Sequence, residues 1–130
     1  MAPGRSNDDI QHGGSTVAAR ALRDFFARHC GTLPDFRGLA RVLGLCEAAA
    51  RAVDDAYCRE KLRLTAEYAA EMLSGRDHSK WGRDSTSGVE FLRQQILNAL
   101  ELYASRLYSL EALRAFDSIE DRLHAAPGAG

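Results

Sequence analysis

From Asp35 to Ala126 the chain contains no proline. Proline removes a backbone donor and clashes with the preceding turn, so a run this long without it leaves helices free to continue for many turns. The side chains point the same way. Ala and Leu together number 37 against 7 for Val and Ile. Small and unbranched side chains suit helices and β-branched ones suit strands, which excludes an all-β fold and disfavours α/β.

Punctuation divides the run into three helices. The first is expected from Thr16 to Cys30, capped by Ser15 and stopped by Gly31, with Val17, Ala18, Ala21, Leu22, Phe25 and His29 facing inward. The second opens at Thr32-Leu33-Pro34-Asp35, which has the reach of a capping box with proline in the tolerant first turn. It continues to Leu73, where Gly75 supplies a left-handed stop. Gly38 and Gly44 are its weak points, and Glu47 with Arg51 and Asp55 with Arg59 support it at four-residue spacing. The third opens at Ser87-Gly88-Val89-Glu90 and runs to His124, with Val89, Ile96, Leu100, Tyr103, Leu107 and Leu110 as a near-heptad stripe. The expected fold is all-α: an antiparallel helical bundle of one short and two long helices, with room for completion by dimerisation or by a kink in a long helix. Residues 1–14 and 126–130 are rich in glycine and poor in large apolar side chains, so they read as disordered tails around a bundle domain at 15–125.

Charge and cysteine usage narrow the class of function. Lys and Arg total 17 against 18 for Asp and Glu, residues 74–87 sum to +1 and residues 88–130 to −2. Without a basic pole, nucleic acid is not an expected partner. No apolar run approaches a membrane span and residues 1–14 do not read as a secretory leader, so no membrane association is expected. Cys30, Cys46 and Cys58 are odd in number and widely spaced, which fits reduced thiols and a cytoplasmic location.

Catalytic signals are weak. The four histidines share no helical face at four-residue spacing, so no zinc-protease or di-metal helix is present. The glycine-rich phosphate loop, the dinucleotide turn and the nucleophile elbow are all missing. No cofactor is expected, and the balance is against an enzyme. The connection SGRDHSKWGRDST, residues 74–86, is longer than most helix–helix loops and leads to the anion-attracting start of the third helix. Arg76, His78, Lys80, Trp81, Arg83 and Ser87 are the candidate residues for a small anionic ligand there. The competing expectation is a solvated hairpin with Trp81 folded onto the bundle end.

The second helix carries more apolar surface than one neighbour needs. One line follows Leu39, Leu43, Cys46, Ala50, Val53 and Tyr57 into Leu64, Tyr68 and Met72. Another comprises Cys58, Leu62, Ala66, Ala69 and Leu73. Leu62, Ala66, Ala69 and Leu73 are the expected homodimer interface, since two alanines allow helices to approach closely between flanking leucines. The sequence alone therefore favours a non-enzymatic, self-associating protein-interaction module (an adaptor, small regulator or chaperone-like subunit). The alternative is a small bundle binding an anionic ligand at residues 74–87.

Overall fold

The structure, a computed structural model, describes residues 15–30 and 35–125. Residues 1–14, 31–34 and 126–130, with the expected stop at Gly31 and opening at Thr32, lie outside the described residues. Four helices follow in order: α1 Ser15–His29, α2 Phe36–Ala52, α3 Ala56–Leu73 and α4 Ser85–Ala125, with a short 3-10 turn at Ser79–Trp81 before α4. No strand occurs among the described residues. The helices pack α4 on α3, α3 on α2, and α1 on both α4 and α2.

The expected second helix is two. Val53 is extended, at φ −106° and ψ 128°, and Asp55 starts α3 by accepting from the backbone N–H of Cys58 at 3.0 Å. The break falls at Val53-Asp54-Asp55 and not at either glycine. Aspartate side chains compete for nearby backbone donors and favour caps over helix interiors, so two in succession outweigh a glycine whose neighbours all favour helix. Arg59 donates its Nε to the Val53 carbonyl at 2.6 Å and satisfies part of the severed helix end. Asp55 pairs with Arg106 of α4 at 3.1 Å, whereas Arg59 lies 3.7 Å from Asp54, so the expected Asp55–Arg59 pair is replaced.

The other helix starts also move. Asp35 caps α2 through the backbone N–H groups of Arg37 and Gly38, so the cap is Asp35 and the helix opens at Phe36, later than the expected Thr32. At α4 the box is Asp84 with Ser87. Asp84 accepts from the Ser87 N–H at 2.8 Å, and the Ser87 hydroxyl accepts from the Asp84 N–H at 3.1 Å. Ser87 thus closes a reciprocal box whose first member is Asp84. Gly75 does take the left-handed conformation, at φ 70°.

One apolar core joins all four helices. Leu22 and Phe26 enter it from α1, Leu39 and Val42 from α2, Leu62 and Met72 from α3, and Leu92, Ile96 and Leu100 from α4. The buried face of α1 is Thr16, Ala19, Leu22 and Phe26, one residue round from the expected face. Val17 is 68% exposed. Apolar residues cover two adjacent faces of α1, and α4 takes the one that lets the Thr16 hydroxyl donate to Glu111 and Arg23 donate to Glu101.

Candidate functional site

The long connection folds into a clamp. After Gly75 the chain crosses the start of α4, where the backbone carbonyl of His78 lies so close to Gly88 that a Cβ there would sit 1.8 Å from it. Gly82 faces the same helix end, and a Cβ on it would come within 2.7 Å of the Gly88 nitrogen. Two glycines therefore permit a backbone-on-backbone approach that any side chain would block. Trp81 stacks on Phe91 with ring centroids 6.1 Å apart and meets Tyr68 edge-on. His78 is buried, and its carbonyl accepts from the Trp81 N–H at 3.0 Å.

The expected anion site is filled by the chain's own carboxylate. Glu71, in the last turn of α3, has a side chain only 12% exposed. Arg76 Nη2 lies 2.7 Å from Glu71 Oε2, while His78 Nδ1 and Lys80 Nζ lie 3.7 and 3.8 Å from its Oε1. Burial pushes the Glu71 carboxyl up, but Arg76, Trp81 and Lys80 together outweigh it, and the net shift is downward. Glu71 Oε1 and His78 Nδ1 are buried there with no hydrogen bond within 3.5 Å, and the Trp81 Nε1 N–H faces the same carboxylate. Of the six candidate ligand residues, Arg76, His78, Lys80 and Trp81 converge on Glu71. Arg83 is exposed and Ser87 is committed to Asp84. Sequence reasoning missed Glu71, which reads as one more charge on a helix of mixed sign. Its position one turn before Ser74-Gly75 was the available signal.

The expected dimer line faces inward. Leu62 is 1% exposed and Ala69 fully buried, while Ala66 and Leu73 are partly buried against the same core. The correction follows from the break after Ala52. Once α3 is a separate helix it turns this line into the core it shares with α2 and α4, and α2 presents Leu39, Val42 and Cys46 from its own axis. Leu62, Ala66, Ala69 and Leu73 are therefore not a free surface.

Exposed apolar surface lies elsewhere. Beyond Leu110, α4 outruns the core, and Leu113, Phe116, Ile119 and Leu123 are all about half exposed or more. At about 100° per residue, Phe116 points roughly half a turn away from Leu107. The positions continuing the core-facing line are Arg114, Ser118 and Asp121. The apolar face thus changes sides, which a single stripe drawn through the helix conceals. A second surface is a groove of about 400 Å³ between α1 and α2 whose lining includes Ala18, Phe25, Leu45 and Ala49. Arg28 and Arg41 also line it, and Arg41 sits over the Phe25 ring at 5.5 Å. Ala18, Ala21 and Phe25, expected in the core, form part of this wall.

None of the three thiols is activated as a nucleophile. Burial pushes the Cys46 and Cys58 thiols up to about 12 and the Cys30 thiol up to about 11, so all three are protonated at neutral pH. Among the described residues no cluster of three His, Cys, Asp or Glu could hold a metal ion, and no helix is long and apolar enough to cross a membrane. Comparison of the chain with family models, curated proteins and solved structures finds no match.

Proposed function

We propose that this chain is a non-enzymatic helical interaction module, an antiparallel bundle that self-associates and serves as an adaptor, small regulator or chaperone-like subunit in the cytoplasm. The observation that carries the reading is the exposed stripe Leu113, Phe116, Ile119 and Leu123 on a helix that has left its core. Isolated exposed leucines are ordinary, but four large apolar side chains along eleven residues of one helix form a contiguous surface of the kind that marks an interaction site. The antiparallel arrangement is supported by the pairing of the α3 start with Arg106 and by the clamp that returns the α3 end to the α4 start. Buried, unpaired thiols support a reducing compartment.

The rival, an anionic ligand at residues 74–87, has less support because Glu71 already gathers Arg76, His78 and Lys80. A thermal-shift screen of phosphorylated and carboxylated metabolites tests it. A rise of several degrees that Arg83→Ala abolishes would favour the ligand reading. For the interaction module, a photoreactive side chain placed in turn at Phe116 and Leu123 should give cross-linked adducts in cells, each identified by mass. Cells that yield no defined adduct from either position would overturn the reading.

A further inference from the structure

The chain carries two exposed apolar surfaces bordered by opposite charge. One is the α1–α2 groove, concave and bordered by Arg28 and Arg41, neither of which has a carboxylate at ion-pair distance among the described residues. The other is the stripe Leu113, Phe116, Ile119 and Leu123 of distal α4, bordered on one side by Asp117. The wider charge follows the same division. Helices α1 and α2 each carry a net +2, and residues 111–125 carry −2.

We propose that the groove receives the distal α4 helix of a second copy of this chain, and that the exchange is reciprocal. This rests on reading the protein as an interaction module and names its partner. Phe116, Ile119 and Leu123 stand at the i, i+3, i+7 positions with which an amphipathic helix anchors in a groove. Asp117 then approaches the border formed by Arg28 and Arg41. The occupant is not the same molecule's own helix. Tyr103 lines the groove, and Phe116 lies thirteen residues further along a helix with no Gly or Pro between them, about 20 Å beyond. A reciprocal exchange closes as a two-fold dimer, whereas a one-way insertion would propagate into a chain of copies.

The test uses the full-length chain in sedimentation velocity and light scattering, with circular dichroism as a check on folding. The wild type should run at twice 14.3 kDa. Phe116→Glu removes the central anchor and Ala21→Arg fills the groove from an exposed helical position. Each should weaken self-association by more than about tenfold. Mixed together, they should form a heterodimer, because one intact groove still faces one intact helix. An Ala21→Arg variant that dimerises by itself would mean that distal helices pair with each other, and would overturn the proposal. So would a monomeric wild type. If that monomer still gives cross-links from Phe116 to a different protein in cells, the interaction module stands without self-pairing. If it gives none, both readings fall.

Discussion

At the scale of single residues, two glycines with opposite demands separate what helix propensity wants from what packing wants. Gly44 lies within α2 and a Cβ there would meet nothing within 4 Å. Alanine is favoured over glycine in a helix interior, so Gly44→Ala should stabilise the protein by about 0.5–1 kcal/mol. The same replacement at Gly88 gains the same helical preference but drives a methyl group into the His78 carbonyl. Overpacking of this kind costs about 1–3 kcal/mol, so Gly88→Ala should be a net loss. Thermal melts of the two variants check both signs, and a stabilised Gly88→Ala would show that the clamp is not seated as described. Propensity is legible residue by residue in a sequence. A backbone approaching from ten residues away is not, which is why Gly88 reads there only as a permissive position in a cap.

At the scale of the element, the break at Val53-Asp54-Asp55 decides which faces are inside. Its anchor is Asp55, whose carboxyl is held down to about 2, first by Arg106 and then by the Cys58 N–H, from an ordinary 3.8. A carboxylate with a depressed folded-state pKa stabilises the protein above its unfolded pKa, and that contribution disappears as the pH falls through the folded one. The stability gap between wild type and Asp55→Asn should therefore be full at pH 5 to 7, shrink below about 4 and close near pH 2. Denaturant titrations across that range check it, and a gap independent of pH would detach the α2–α3 break from this ion pair. The break also reverses the meaning of Leu62. With Leu62 in the core, Leu62→Glu buries a charge with no partner and should cost several kcal/mol, unfolding the bundle where an interface residue would only have released a partner. Circular dichroism of the variant distinguishes the two. Helical content, the α1 span, the end of α3 at Leu73, the left-handed Gly75 and the α4 core stripe were readable in the sequence, but the break that starts α3 at Ala56 was not. The register of α1, the caps at Asp35 and Asp84, and the inward turn of the Leu62 line were not. Each depends on which of two adjacent apolar faces a neighbouring helix chooses.

At the scale of the molecule, α4 belongs to two regions with different tasks. Up to Leu110 it sends a stripe of apolar residues into the core and leaves Phe91, Leu102 and Tyr108 exposed, whereas from Leu113 to Leu123 its large apolar side chains are all exposed. A chain ending at Glu111 should keep its melting temperature within a few degrees, because no core residue lies beyond that point, and should lose self-association. A large drop in melting temperature would instead make the distal segment part of the folding unit. The position of the only tryptophan has a consequence for following these events. Trp81 lies against Phe91 at the clamp, and Phe116 is a further twenty-five residues along α4, about 38 Å away along its axis. The molecule thus carries a single indole, excitable apart from the tyrosines, that watches one end and is blind to the other. Its emission tracks the seating of the clamp around Glu71 without responding to what the distal helix touches, and an optical change on association would mean that α4 conveys strain along its whole length.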